Sequence, residues 1–515
     1  MPTKPEHIFV LMLENRSFDH LFGLSGLTGV DAVTGALREI DGLTGDESNS
    51  LNGKTYTVTT GADYATHADP GHEFSNVLDQ LCGPGVGYVA PYPPINLSGF
   101  VHSANQSVGS ASAAEVMKSF DTPNKLPVLF ALAREFALCD RWFSSLPGPT
   151  WPNRMFVHAA SSGGLDHSPT IEEIILWETI SGFYLEKGTV FDALHRHKKK
   201  TYRLYSGDQF PMVAALKGIS LFDVHRIDDL VQDLKKDSFP YNYVFIEPSY
   251  NVFQNYRDST SHHPLADVRH GEALVKTVYE ALRASPIWED SLFIVTWDEH
   301  GGFYDHVVPE TAIPPGDKPR HPKHNRSGFT FSQYGVRTAA IVVSPFIPQN
   351  TVDGRVYDHA SIPKTLADTF TLTTRTARDA GARSLLPLLS LPRARQTIAT
   401  LPTPASPPAL GTQPLPTDRP NGSINDGNVP LVVHSALRQD LELDPAKKSA
   451  ILARVARLQT RDDAMRYVAI VARKLRAIQK TSAKKASRES GAAKATTAKK
   501  KNSARKAKTP APRSR

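Results

Sequence analysis

Two acid-bearing turns carry the strongest chemical signal in the sequence. The run His7-Ile-Phe-Val-Leu-Met-Leu13 ends in Glu14-Asn15-Arg16-Ser17-Phe18-Asp19-His20, and Ser291-Leu-Phe-Ile-Val-Thr-Trp297 ends in Asp298-Glu299-His300-Gly301-Gly302. Both runs are short and apolar, as strands buried on two faces are. In open α/β sheets, ligands bind outside the carboxyl ends of the strands. If these two strands are neighbours, Glu14, Asp298 and Glu299 meet at one edge. Carboxylates at such range repel, and a cation is the simplest way to keep them ionised. Oxygen-only ligands call for one hard divalent ion, Ca²⁺, Mg²⁺ or Mn²⁺, with Zn²⁺ less favoured. A single acid after a strand is more often a helix cap or a solvated loop start. Two such pairs, one followed by a double glycine that lets backbone approach a ligand, favour the site.

A second constellation is Gly148-Pro149-Thr150-Trp151-Pro152-Asn153-Arg154. Two prolines and a glycine fix this loop and suit it to holding one hydroxyl in place. A threonine hydroxyl is a poor nucleophile until a metal ion lowers its pKa. Arg154 has the planar fork suited to phosphate, and Asn153 offers an amide donor. By spacing alone, Gly-Pro-Thr is also an ordinary turn. The histidines come third: His262-His263-Pro264 before a helical stretch, His72 in Asp69-Pro70-Gly71-His72-Glu73, and His306 in Tyr304-Asp305-His306. Histidines near neutral pH can bind phosphate oxygens and protonate a leaving group. His300 and His359 stand equally between a site role and a core role on residue type.

These residues need a frame. Apolar runs at His7–Leu13, Thr201–Tyr205, Asn242–Ile246, Ser291–Trp297 and Thr338–Val343 read as strands. Helical patterns lie between them at Leu126–Leu138, Val190–His197, Asp223–Asp237, Ala266–Ala284 and Ile362–Leu372. This alternation predicts an α/β fold, a mostly parallel central sheet flanked by helices. Residues 1–400 are expected to form the catalytic domain, 401–429 a Pro-rich linker, 430–480 a helical segment and 481–515 a disordered Lys/Ala-rich tail. Within the helical segment, Lys447–Gln459 and Arg461–Gln479 read as two amphipathic helices.

Charge is unevenly shared. The tail holds twelve Lys or Arg against one acid, Glu489, a net of +11, which leaves the other 480 residues at −4 of the chain's +7. Two cysteines, Cys82 and Cys139, exclude a disulfide framework or a cysteine metal site and read as buried thiols. No stretch reaches the roughly 18 apolar residues of a membrane span. The first apolar run is too short for a signal-peptide core, so a cytoplasmic location is expected of the sequence as written.

Taken together, the motifs resemble one family. Glu-Asn-Arg-Ser-Phe-Asp-His-Leu-Phe-Gly from Glu14, Gly-Pro-Thr-Trp-Pro-Asn-Arg from Gly148, His-His-Pro-Leu-Ala-Asp-Val-Arg from His262 and Asp-Glu-His-Gly-Gly-Phe-Tyr-Asp-His from Asp298 are similar to the phosphoesterase family of bacterial phospholipases C, plant non-specific phospholipases C and related acid phosphatases. Tyr334-Gly335-Val336-Arg337, Val343-Ser344-Pro345-Phe346 and Tyr357-Asp358-His359 match its pattern too. The resemblance implies an alkaline-phosphatase-like core and one divalent metal ion on Glu14, Asn15, Asp298 and Glu299. It also implies a metal-activated Thr150 nucleophile forming a covalent phosphoryl-enzyme, and the pair His262 and His263 binding phosphate and assisting the leaving group. His72 and His306 are further catalytic carry-overs, with Asn153 and Arg154 toward the substrate. Many members of the family are exported, and the large bacterial ones continue into β-rich domains where this chain has helices and a basic tail.

The expected function is therefore metal-dependent phospholipase C-type cleavage of a phosphodiester or phospholipid headgroup, with an acid phosphatase-like phosphomonoesterase as the alternative. From another class, the basic tail suits a nucleic-acid-associated protein, since Lys499-Lys500-Lys501 and Arg505-Lys506-Ala507-Lys508 can neutralise phosphates without reading sequence. The same tail suits anionic lipid, or simple solvation.

Overall fold

The computed structural model describes residues 4–177, 182–197, 200–407, 409 and 422–478 of the 515. The basic tail, and with it the expected disorder and nucleic-acid contact, lies outside the described residues, as does most of the Pro-rich stretch.

The frame is one eleven-stranded sheet. In chain order its strands are β1 (His7–Leu13), β2 (Thr28–Asp31), β3 (Leu37–Glu39), β4 (Ala137–Phe143), β5 (Tyr202–Ser206), β6 (Val224–Arg226), β7 (Tyr243–Glu247), β8 (Ser291–Trp297), β9 (Arg337–Val343), β10 (Thr351–Asp353) and β11 (Tyr357–Asp358). Their order across the sheet is β6-β5-β7-β1-β8-β9-β4-β10-β2-β3, with β11 also on β4. β9 runs antiparallel to both of its neighbours and β3 to β2; every other pairing is parallel. The α/β class and the mostly parallel sheet are as the strand and helix alternation predicted.

All seven residues of β1 are buried because both faces of the sheet are covered. Alternation sends Phe9, Leu11 and Leu13 into one hydrophobic cluster and Ile8, Val10 and Met12 into another, as a period of two requires. The first cluster takes in helices α1 (Pro127–Glu135) and α3 (Val268–Arg283). The second takes in α2 (Thr150–Ala159), α4 (Ser361–Phe370) and α5 (Val429–Leu443). On α3 the apolar stripe Leu274, Val275, Val278 and Leu282 faces the sheet. Cys82 and Cys139 are free and buried. Among the described residues no helix is long and apolar enough to cross a membrane.

Three stretches differ from the sequence reading. The helix expected over Leu126–Leu138 stops at Glu135, and Ala137–Phe143 is strand β4. Asp140 and Arg141 hid the strand, because a charged pair inside an apolar run breaks its periodicity. In the fold, buried Asp140 accepts from Arg38 at 2.5 Å and from the Asp41 N–H at 2.8 Å, which makes its burial tolerable. The Asp223–Asp237 helix divides into β6 and the helix Ile227–Asp233. In the C-terminal segment, the Lys447–Gln459 helix contracts to Lys448–Val455, and residues 461–478 are helical. The helix most deeply buried there is α5, which the sequence reading did not single out; Val429, Val433, Ala436 and Leu437 are fully buried against the sheet's own cluster.

Gly271, on the first turn of α3, shows how tightly this layer is packed. A Cβ there would stand 2.0 Å from the His262 Cδ2. Gly271→Ala, which helix propensity alone favours by about 1 kcal/mol, should instead lower stability by about 1–3 kcal/mol. Chemical denaturation checks the sign, and a stabilised variant would refute the packing.

Candidate active site

Strand register assembles the site. β1 and β8 are adjacent and parallel with Leu13 opposite Trp297, so Glu14 and Asp298 leave the sheet side by side. Beyond the strands the two chains stay joined. The Asn15 N–H donates to Asp298 Oδ1 at 2.9 Å, and the Arg16 N–H to the Glu299 carbonyl at 2.9 Å. Asn15 takes a left-handed φ of 56°, a conformation that asparagine tolerates better than most residues. The double glycine makes room for backbone: Gly301 for the crossing and Gly302 for the Pro70-Gly71 turn. A Cβ on Gly301, whose φ is 66°, would lie 2.3 Å from the Asn15 carbonyl oxygen, and one on Gly302 2.7 Å from Pro70 Cβ.

Thr150 opens α2 directly after Pro149, and it is 4% exposed. Its hydroxyl donates to Asn15 Oδ1 at 3.4 Å. The helix start places the positive end of the macrodipole beside that hydroxyl, an arrangement suited to an anion. Thus Glu14, Asn15, Asp298, Glu299 and Thr150, drawn from three separate segments, share one buried locus.

Arg154, one turn along the same helix, binds protein groups through two of its nitrogens, while its buried Nη1 has no hydrogen-bond partner. Its Nε donates to Asp298 Oδ2 at 2.8 Å and its Nη2 to the Leu13 carbonyl at 2.9 Å. Fully buried Asp298 needs a countercharge, and Arg154 is the cation within reach. Asn153 is not aimed at a substrate. Its amide donates to the carbonyls of Leu146, Gly148 and Pro149 and accepts from the Leu146 N–H, so it braces the loop that presents Thr150.

The electrostatics follow from burial. Burial pushes Glu14 well above the usual carboxylate range, with Arg154 opposing and Asp298 adding to the push. Asp298 rises to about 6 by burial, against the pull of Arg154. Glu299 moves the other way: burial would raise it, but His72, His300 and the Gly301 N–H together hold it low. His72 rises to about 9; burial alone would lower it, and Glu299, Asp69 and Glu73 outweigh that.

Two carboxylate oxygens here, Glu14 Oε2 and Glu299 Oε1, are buried without a hydrogen-bond partner. Such atoms are rare and costly in native proteins, and a cation is what satisfies two of them at once. With Asn15 Oδ1 and the Thr150 hydroxyl they offer a hard, oxygen-only donor set, which fits a divalent ion. Asp298 joins with both oxygens already engaged, Oδ1 by the Asn15 and Glu299 N–H groups and Oδ2 by Arg154.

The histidines separate. His72 Nε2 is 3.5 Å from the Asn15 side-chain amide, at the site. His263 is nearby, stacked on Tyr256 with ring centroids 3.4 Å apart and paired with Asp69 at 3.5 Å. His262 turns into the wall: its Nδ1 accepts from the Trp297 indole at 3.3 Å, its ring packs on Gly271, and burial pushes it down to about 3. Its Nε2 is buried without a hydrogen-bond partner, and Arg16, donating to the carbonyls of His262 and His263 at 2.7 and 3.2 Å, fixes the loop that carries both. His359 accepts from the Trp142 indole at 3.2 Å and so donates its Nε2–H to the Asp298 carbonyl at 2.6 Å. His300 sits between Glu299 and Gln80.

His306 belongs to another cluster. Its Nδ1 lies 2.7 Å from Asp19 Oδ2 and its Nε2 3.3 Å from Asp41 Oδ1. Asp19, Asp305 and His306 present ligand atoms within 4.8 Å of one another, the only such trio among the described residues. Yet buried Arg337 already reaches Asp305 at 3.0 Å and Asp19 at 2.8 Å. Its guanidinium does there what a metal would do, and it ties the first motif to the fourth.

Sequence reasoning did not reach Asn428, whose side-chain amide donates to Glu14 Oε1 at 2.7 Å across 414 residues. Nor did it reach Tyr256. Neither lies in a recognisable motif. A cleft of about 330 Å³ opens beside them, bounded by His67, Asp69, Tyr256, Leu265, Gly427 and Arg461 among others.

Comparison with known proteins agrees with the motifs. The model of the Phosphoesterase family matches residues 5–373. Non-specific phospholipase C6 of Arabidopsis thaliana is 36% identical over 426 residues, 79% of this chain and 76% of its own length. Phospholipase C B of Mycobacterium tuberculosis is 27% identical, over 72% of this chain and 74% of its own. A solved protein of the alkaline phosphatase superfamily from Vibrio parahaemolyticus is similar at a greater distance, 16% identical over 52% of this chain and 64% of that one, with a TM-score of 0.30.

The Asp19–His306–Asp41 contact has a pH signature. Burial would lower His306, but hydrogen bonds to Asp19 and Asp41 outweigh it and raise the imidazole to about 10. A base raised on folding stabilises fully below its unfolded pKa of about 6.5, and the contribution fades as pH climbs to the folded value. The unfolding free-energy gap between the wild type and His306→Gln should therefore shrink steadily above neutral pH. A gap flat with pH would remove the ion-pair account.

Proposed function

The chain belongs to the Phosphoesterase family and is a phosphoric ester hydrolase, and on that footing we propose a metal-dependent, phospholipase C-type reaction with Thr150 as the nucleophile. The observation that carries this reading is the meeting of the Thr150 hydroxyl and Asn15 Oδ1 at 3.4 Å, where the adjoining Glu14 and Glu299 each carry a buried carboxylate oxygen without a hydrogen-bond partner. Glu14, Asn15 and Glu299 would hold a divalent ion, with Asp298 in support. Such an ion supplies Lewis acidity, lowering the pKa of the hydroxyl and drawing charge from a phosphoryl oxygen.

The remaining work belongs to side chains. Thr150 Oγ gives up its proton to water and forms a bond to phosphorus as the bond to the departing alcohol breaks. The alcohol oxygen takes a proton from His72, whose imidazole Glu299, Asp69 and Glu73 raise to about 9 against burial, while His263 donates a hydrogen bond to a phosphate oxygen. Water then displaces the phosphoryl group from Thr150 and restores the hydroxyl. The N-terminus of α2 and His72 compensate charge on the equatorial oxygens. Arg154 holds Asp298 in place and, through it, the turn at Asn15. The cleft beside Tyr256 and His263 is the path for the substrate, and its size suits a headgroup or glycerol backbone more than two acyl chains. Named relatives that act as phospholipases C support a phospholipid over a soluble ester.

A panel of phosphatidylcholine, p-nitrophenyl phosphate and p-nitrophenyl phosphorylcholine, run on metal-stripped and metal-reloaded protein, tests this. Hydrolysis of the two diesters should return only with metal; preference for the monoester would favour the acid phosphatase alternative. Thr150→Ala should lower kcat by at least about 10³-fold with the fold intact, and wild-type turnover in that variant would sink the nucleophile. Asp298→Asn should lower metal content and rate together.

A further inference from the structure

We propose that Asn428, immediately before helix α5 and beyond the family-matched region, is a positioning residue of the metal site that sets which oxygen of Glu14 faces the ion. The inference rests on the reading of Glu14 as a metal ligand. Residue 428 lies past the match, which ends at 373.

Asn428 is 5% exposed and immediately precedes α5. Its Nδ2 donates to Glu14 Oε1 at 2.7 Å, while Glu14 Oε2 has no hydrogen-bond partner. Only the NH₂ end of the amide can donate to a carboxylate, so the orientation of the side chain is fixed. One oxygen of Glu14 is thereby satisfied and the other is left for a cation. The chemistry of the donor matters. A lysine or arginine in this place would neutralise Glu14 and compete with the ion; a neutral amide orients the carboxylate and leaves its charge intact.

Asn428 is itself held from both sides. Its backbone N–H donates to the Tyr256 hydroxyl at 3.2 Å, and the Tyr256 ring lies flat on His263. Behind it, α5 is anchored by buried Val429, Val433 and Leu437, packed in the same cluster as Trp151 and Met155 of the Thr150 helix. The helix does not depend on the Glu14 contact for its docking, since Ser435 also donates to the Pro211 carbonyl at 3.0 Å, elsewhere along its length. Groups that orient metal ligands are tuned in this way, and their loss typically costs about 10–100-fold in affinity.

The test is calorimetric titration of Mn²⁺ into metal-stripped full-length protein. Asn428→Ala should weaken Kd by about 10–100-fold. Asn428 makes no side-chain cap bond to α5, and Asn428→Ser places a favoured N-cap residue there that is too short to reach Glu14, so it should weaken Kd likewise even if the alanine variant folds poorly. Ser435→Ala removes one of the other hydrogen bonds that dock the same helix and should lower Tm while leaving Kd unchanged. Unchanged Kd in the folded Asn428 variants overturns the proposal alone. Equal weakening by Ser435→Ala overturns it in favour of general helix docking. No Mn²⁺ uptake by the unsubstituted protein overturns it together with the metal reading.

Discussion

Three carboxyl groups buried at the carboxyl ends of two adjacent parallel strands are the constraint to which the rest of the structure answers. Removing a carboxylate from water costs several kcal/mol even after relaxation, and Glu14, Asp298 and Glu299 are each fully buried. Arg154 offsets part of that cost. At its 2.8 Å separation from Asp298, an effective dielectric of about 20 gives an attraction of roughly 6 kcal/mol, comparable with the desolvation of one ion. One arginine cannot answer for three acids. The remaining charge is met by His72, by backbone N–H groups and by Asn428, and two carboxylate oxygens are left without a partner.

This division of labour explains why the site draws on so many segments. Asp298 is satisfied by protein groups and acts as the keystone between Arg154, the Asn15 N–H and, through its carbonyl, His359. Glu14 and Glu299 each keep one oxygen uncommitted. Arg337 performs the same service at a second acid cluster, where Asp19 and Asp305 are matched by a guanidinium that also stands 4.2 Å above Phe18. Two clusters of buried acids thus receive opposite solutions. In one, arginine bonds both carboxylates; in the other, two oxygens stay open beside a hydroxyl, the arrangement on which the proposed reaction rests.

Much of this was legible in the residues. β1 and β8 have the predicted bounds, because an apolar run buried on both faces has no polar interruption and ends where the acids begin. The turns after them read as one site since strand ends are where ligands bind in such sheets. The roles of individual polar residues were less legible. Arg154 has the right chemistry for phosphate and for a carboxylate alike, and nothing local distinguishes the two. Asn153 and His262 carry suitable groups within suitable motifs, yet one is spent on the Thr150 loop and the other is sealed against Trp297 and Gly271. Strand β4 was obscured by Asp140 and Arg141, whose burial makes sense only once Arg38 and Asp41 arrive from a distant part of the chain.

The amino-acid order by itself determined the class of fold, the family and the two acid-bearing turns that come together, because apolar periodicity and motif chemistry are local properties. Which partner each polar group takes was decided only in three dimensions. A hydrogen bond depends on distances set by strand register and helix docking, and the link from Asn428 to Glu14 spans 414 residues with no pattern between them. Local sequence can specify a carboxylate or an amide, but only the packed sheet and α5 bring the two within 2.7 Å.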